Sequence, residues 1–219
     1  QSVKSSSSSK LSTSFLLDKG VSVNSLDWGY VSGQTLENLI LIVGTSDGKI
    51  LLYSPVNNSL VDTLEDDIYT DAIVSVHYSN LRNSVRCIND SNVIIEYSLS
   101  TFKKNKVIPN ILKQDTITND ANKSQNDESL QCIKLINFKN SPHLLVSSDK
   151  VYLYNIKKKE ISHENSNHIT TITDLILFND DYLLTSAKSD RFINIYNISN
   201  NFKPAKVLVT QSNVQNVSY

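Results

Sequence analysis

Methionine is absent from the 219-residue sequence, cysteine occurs twice and glycine five times, and each shortage excludes something. Without methionine the chain has no initiator, so it reads as a processed or truncated product. Cys87 and Cys132 show no CxxC spacing. That speaks against a zinc site and for two buried, reduced thiols, with a disulfide between them as the lesser alternative. All five glycines (Gly20, Gly29, Gly33, Gly44, Gly48) lie in the first 48 residues, so later turns must rest on Asn, Asp and Ser, which tolerate positive φ and bond locally. An excess of either charge is also lacking. The sequence has 21 Lys and Arg against 22 Asp and Glu, a net charge of −1, and no whole-molecule field to draw nucleic acid or anionic lipid. No apolar run reaches the roughly 18 residues of a membrane span, and the Ser5 to Ser9 tract lacks a signal-peptide core. What remains is ordinary for a globular protein, 39% hydrophobic and 20% charged.

What is present is a repeat. The apolar pattern h-x-x-h-x-h occurs at Val23/Leu26/Trp28, Ile73/Val76/Tyr78, Leu130/Ile133/Leu135, Ile172/Leu175/Leu177 and Val214/Val217/Tyr219. A β-branched run ending in Tyr follows the first four, at Tyr53, Tyr97, Tyr154 and Tyr196. Pattern start to Tyr spans 24 residues in three repeats and 30 in the first, where residues 29–38 lengthen a loop. Between the two signals lie further strand candidates, LILIVG (39–44), SVRCI (84–88), HLLVS (143–147) and YLLTSA (182–187). After each Tyr there is room for an outer strand. Four short strands per repeat with no helical stretch between them match the blades of a β-propeller. A β-sandwich has no reason to repeat at this period. The expected fold is all-β, an incomplete propeller of four blades (21–66, 71–112, 130–166 and 168–211) plus the first strand of a fifth (214–219). A Ser-rich flexible segment (1–10), an outer strand at LSTSFLLD (11–18) and a disordered insertion (113–129) complete the expected organisation.

The fourth repeat resembles a WD repeat. It carries Asn167-His168 where that family has Gly-His, then Ser186, Asp190 and Tyr196-Asn197 in place of Trp-Asp. The resemblance implies that His168, Ser186, Asp190 and Tyr196 form a hydrogen-bonded network locking the blade. GTSDGKILLYS (44–54) and HITTITDLILF (168–178) with LLTSAKSDRFINIYNI (183–198) look like the propeller of WD-repeat subunits of the nucleolar small-subunit processome, in the UtpA complex. That resemblance implies a non-enzymatic scaffold of the nucleus and nucleolus, acting in ribosomal RNA precursor transcription, processing and small-subunit assembly. Its expected partners are other subunits of a large ribonucleoprotein assembly and precursor ribosomal RNA, with no membrane, small-molecule substrate, cofactor or metal. A cytoplasmic adaptor of trafficking or ubiquitin-ligase complexes, and less readily a propeller hydrolase, are the alternatives.

Candidate sites carry bland readings beside functional ones. His168, Ser186 and Asp190 have the residue types of a hydrolytic triad, yet they fall at blade-locking positions, where mutually satisfied polar groups stabilise without chemistry. Asp66-Asp67 and Asp180-Asp181 read as turn residues rather than acid–base pairs. Lys157, Lys158 and Lys159, and the lesser run Lys103, Lys104 and Lys106, read either as solvated turns and guarded edge strands or as phosphate contacts. Arg191 either pairs with Asp190 or meets an acidic or phosphate partner.

Overall fold

A computed structural model of the chain describes residues 16–113, 129–178, 181–212 and 214. The expected Ser-rich segment, most of the 113–129 insertion, much of the 11–18 strand and nearly all of the 214–219 strand lie outside the described residues. The described residues form four antiparallel sheets of four strands. The first holds β1 (Val23–Tyr30), β2 (Leu39–Thr45), β3 (Ile50–Ser54) and β4 (Ser59–Leu64). The second holds β5 (Ile73–Ser79), β6 (Ser84–Asn89), β7 (Ile94–Ser98) and β8 (Lys103–Ile108). The third holds β9 (Cys132–Phe138), β10 (Ser141–Ser147), β11 (Val151–Asn155) and β12 (Glu160–Asn165). The fourth holds β13 (Ile172–Phe178), β14 (Tyr182–Ala187), β15 (Phe192–Asn197) and β16 (Lys203–Val209). Strands follow one another in each sheet, and the sheets stack as successive blades of a β-propeller, with β1 beside β5, β5 beside β9 and β9 beside β13.

The cores lie between blades. Ile40, Ile42, Ile50 and Leu52 of the first blade meet Val76, Cys87, Ile95 and Tyr97 of the second. Ile88 and Ile94 turn the other way, onto Ile133, Leu135, Leu144 and Val146 of the third. Leu145 and Leu153 then face Leu175, Leu183 and Tyr196 of the fourth. Side chains alternate across a strand, so a middle strand between two neighbouring blades is buried at successive positions, as every residue of β6 is.

The repeated Tyr has a structural reason. In all four blades the pairing of the third and fourth strands slips by one residue just before it, at Leu52/Tyr53, Glu96/Tyr97, Leu153/Tyr154 and Ile195/Tyr196. An extra residue at this place bends the pair and increases its twist.

The turns follow from the glycine shortage. Asn58, Asn83, Asn140 and Asn201 adopt positive φ between strands, the conformation that Asn reaches most readily after glycine. Side chains then bind blade to blade: Asn24 Nδ2 donates to the Ile73 carbonyl at 3.0 Å and Asn83 Nδ2 to the Val31 carbonyl at 2.9 Å. Asn165 Nδ2 donates to the Phe202 carbonyl at 3.1 Å. Leu26 and Trp28, on the face of blade 1 turned from blade 2, are more than half exposed.

Candidate functional site

The connector before β13 delivers His168 into the fourth blade, with its side chain fully buried. Its Nδ1 lies 2.8 Å from Asp190 Oδ2, and Asp190 also accepts the backbone N–H of Ile169 at 3.1 Å. On the other side of the ring, Nε2 lies 2.7 Å from Thr185 Oγ1 and 3.0 Å from Asn194 Nδ2. Asn194 Nδ2 also donates to the Asn167 carbonyl at 3.1 Å. Tyr196 is buried on the same face; burial pushes its phenol pKa up, and Asn167 and Thr185 counter that rise.

The structure corrects the expected network at two members: the Tyr196 hydroxyl is buried without a hydrogen-bond partner, and the Ser186 place is taken by its neighbour. Thr185, not Ser186, meets His168. Adjacent residues of a strand point to opposite faces; Thr185 shares its face with Leu183, which faces the third blade, and Ser186 Oγ lies on the other face with no hydrogen-bond partner. Period-two alternation from Leu183 would have found Thr185 in the sequence. It would also have found Asn194, two positions before Tyr196. Thr185, His168 and Asp190 have the relative placement of a hydrolytic triad. Thr185 is 1% exposed and both imidazole nitrogens are engaged, so a reacting carbonyl has no approach to Oγ1.

The remaining candidates separate by the end of the sheet on which they lie. In an up-and-down four-stranded sheet the first and third turns share one end, and the second turn and the connector to the next blade share the other. Lys157, Lys158 and Lys159 form the third turn of blade 3 and are exposed; the Asn155 side chain accepts the backbone N–H groups of Lys157 and Lys158 at 3.0 Å. Arg191 is exposed in the second turn of blade 4, at the opposite end. The structure therefore does not bring Arg191 to the lysine run. Asp190, its expected partner, is spent on His168.

Asp66 works as a turn residue and an ion-pair partner. Its Oδ1 accepts the N–H groups of Ile68 and Tyr69 at 2.9 and 3.2 Å, and its Oδ2 lies 2.5 Å from Lys104 Nζ. Lys103, Lys104 and Lys106 lie on the outermost strand β8, where Lys103 and Lys104 are exposed and Lys106 is half-buried. Asp181 accepts the Ser199 hydroxyl at 2.9 Å, and Asp180 lies outside the described residues.

Two polar groupings were not anticipated. On the inner strands, Asp27 Oδ2 accepts the Tyr78 N–H at 2.8 Å and lies 3.3 Å from His77 Nδ1. Burial pushes the Asp27 carboxyl up, but the His77 and Tyr78 hydrogen bonds and the charge of Lys134 outweigh it, and its pKa lies below the ordinary value. Burial pushes the His77 imidazole down; Asp27 opposes this while Lys134 and Arg86 add to it, and the net shift is downward. Asp27, His77 and Lys134 occupy equivalent positions of successive repeats, one residue after Leu26, Val76 and Ile133. Beside them Arg86 and Glu96 form a buried ion pair across β6 and β7, with Asn105 donating to Glu96 at 2.7 Å. Among the described residues no group of three or more His, Cys, Asp or Glu could hold a metal ion.

No family model matches the chain. Over 212 residues it is 23% identical to U3 small nucleolar RNA-associated protein 5 of Saccharomyces cerevisiae. The match takes in 94% of this chain but only 29% of the yeast protein. A chain in the crystal structure of a mitotic checkpoint complex superposes with a TM-score of 0.64 at 12% identity, over 90% of this chain and 54% of that one.

Proposed function

We propose that this chain, a WD-type β-propeller, serves as a non-enzymatic scaffold subunit of a nucleolar pre-ribosomal complex. It supports transcription, processing and assembly around the ribosomal RNA precursor by holding other protein subunits. The observation that carries the reading is the similarity to a yeast protein named for association with U3 small nucleolar RNA, which runs along 94% of this chain. The blade architecture agrees with it. Turns and connectors vary freely on rigid stacked sheets, so such a body presents several independent binding surfaces. The His168 grouping is sealed from solvent and acts in this reading as a lock for the fourth blade.

Affinity purification of the tagged protein from its own cells tests the proposal. Recovery of the other subunits of a small-subunit assembly complex, together with nucleolar fluorescence of the tag, is the expected result. Recovery of vesicle-coat or ubiquitin-ligase components without pre-ribosomal proteins overturns it.

A further inference from the structure

The charge-balanced composition conceals a segregation of charge. At the end of the sheets formed by first and third turns, the turns and the first residue of each following outer strand carry Arg82, Lys103, Lys139, Lys157, Lys158, Lys159 and Lys203. Against these seven the described residues of that end set only Glu37, Glu160 and Asp181. The opposite end bears an aspartate in every second turn, Asp47, Asp90, Asp149 and Asp190, and its first connector adds Glu65, Asp66, Asp67 and Asp71. A molecule with no net field thus has a basic end.

The basic end is densest on blade 3, where Lys139 in the first turn faces Lys157 to Lys159 in the third. Two strand spacings of about 4.8 Å separate the centres of the two turns, which therefore lie about 10 Å apart. All four side chains are exposed. Lys158 has Glu160 at 3.5 Å, and among the described residues Lys157 and Lys159 form no ion pair.

A second, independent feature marks two of them. Lys139 and Lys159 hold φ of 49° and 59°, a left-handed conformation that an L residue with a long side chain adopts only under strain. Asn holds the same conformation at three other turns of this end, at Asn58, Asn83 and Asn201, and at Asn140 beside Lys139; Phe102 and Phe202 hold it too, with their rings packed against the core. Strain kept where a less strained residue is available in the chain's own vocabulary points to a use for the side chain. Packing does not supply that use for Lys159, which is exposed. Lys139 lies with Nζ 5.0 Å from the Phe138 ring centroid, held at the surface rather than buried.

We propose that this end of the propeller, centred on Lys139, Lys157, Lys158 and Lys159, binds the phosphate backbone of single-stranded RNA without reading its sequence. Phe138, Ile156 and Phe202 beside the lysines are buried, and the part-exposed rings of this end, Phe178 at 44% and Tyr182 at 37%, flank the first turn of blade 4, where stacking accepts any base. Point charges spaced along an exposed end suit a flexible polyanion. The assignment deepens the scaffold reading above and rests on it for the identity of the RNA.

The test is fluorescence anisotropy of a 20-nucleotide oligouridylate titrated with the chain at several salt concentrations. The variant Lys139→Gln/Lys157→Gln/Lys158→Gln/Lys159→Gln is expected to bind roughly tenfold or more weakly, and its salt slope to fall by about 3, each lost phosphate contact removing about 0.7. The control variant Lys49→Gln/Lys150→Gln/Lys188→Gln/Arg191→Gln, at the acidic end, is expected to bind as the parent does. The pair Lys139→Asn/Lys159→Asn is expected to keep or raise the thermal midpoint while weakening RNA binding, an outcome that separates loss of contact from loss of fold. Equal losses in the two quadruple variants, or none in the first, overturn the proposal. So does a first variant that keeps RNA affinity but loses affinity for polyglutamate, which assigns the surface to an acidic protein. A variant that loses RNA yet still co-purifies with pre-ribosomal proteins leaves the scaffold reading standing; failure of the parent itself to co-purify sinks that reading without touching the RNA affinity.

Discussion

Thr185 and Ser186 are adjacent, both hydroxylic and both buried, yet they contribute opposite things to the fourth blade. The Thr185 hydroxyl completes a chain from Asp190 through His168, and removing it takes away the shorter of the two contacts of the buried imidazole Nε2, leaving Asn194 alone. Thr185→Val keeps the shape and is expected to cost about 1 to 3 kcal/mol. Ser186→Ala removes a hydroxyl that has no partner and is expected to leave stability unchanged or slightly raised. Urea denaturation of the two variants checks the pair, and a larger loss at Ser186 would refute the assignment. Part of this lock was legible in the sequence, since His168 and Asp190 lie 2.8 Å apart and Tyr196 is buried on the same face, though its hydroxyl takes no part in the chain. The choice between two neighbouring hydroxyls was not, because it depends on which face of β14 meets blade 3. The thiols make a second test at this scale. Burial pushes Cys87 up to about 12 and Cys132 up to about 11, and the Cys132 thiol donates to the Thr173 carbonyl at 3.1 Å. With so little thiolate at pH 8, both should resist iodoacetamide in the folded chain and react once urea unfolds it, as mass spectrometry would read directly.

At the scale of strands and turns, apolar runs and the recurring Tyr outlined the sheets. HLLVS falls within β10, a strand buried on both faces where a continuous apolar run is the expected signature, and SVRCI falls within β6, where Arg86 interrupts the run and is buried through its pairing with Glu96. The one-residue slip at each Tyr was hidden, because register belongs to the partner strand as much as to the sequence that slips. Hidden too was the polar traffic between blades: Asp27 and Tyr78 are 51 positions apart, and no local pattern couples them. Turn chemistry is where a single atom can break an element. Gly48, in the turn between β2 and β3, has φ of +83°, and a Cβ there would stand 2.3 Å from the Thr70 carbonyl oxygen. Backbone cannot swing aside as a side chain can. Gly48→Ala is therefore expected to cost roughly 2 kcal/mol or more, from strained φ and steric clash together, and to lower the thermal midpoint. Gly20→Ala is the matched control: its φ is also positive, at +88°, but the Cβ meets nothing within 4 Å, so it carries the conformational strain alone and should cost less.

For the whole molecule, the inner strands couple stability to pH. Asp27, His77 and Lys134 meet where blades 1, 2 and 3 adjoin, and Arg86 adds its charge from β6. His77 has a folded pKa below its unfolded value of about 6.5, so the unfolded chain takes up a proton that the folded chain resists. Stability is then flat above pH 6.5 and falls as the pH drops from about 6.5 toward the lower folded value. Asp27 acts in a separate and more acidic window: its folded pKa is depressed, so its contribution is present above the unfolded value of about 3.8 and is lost as the pH falls through the folded one. The single tryptophan adjoins this region: the Trp28 backbone N–H donates to Asp27 Oδ1 at 2.9 Å, and the residue is 54% exposed. Urea midpoints followed by Trp28 fluorescence should decline from pH 6.5 to 5. In His77→Gln that decline should shrink, since the glutamine does not titrate, while the fall below pH 4 persists. An unchanged slope between pH 6.5 and 5 in His77→Gln would place the proton uptake elsewhere and remove the inner strands as its source.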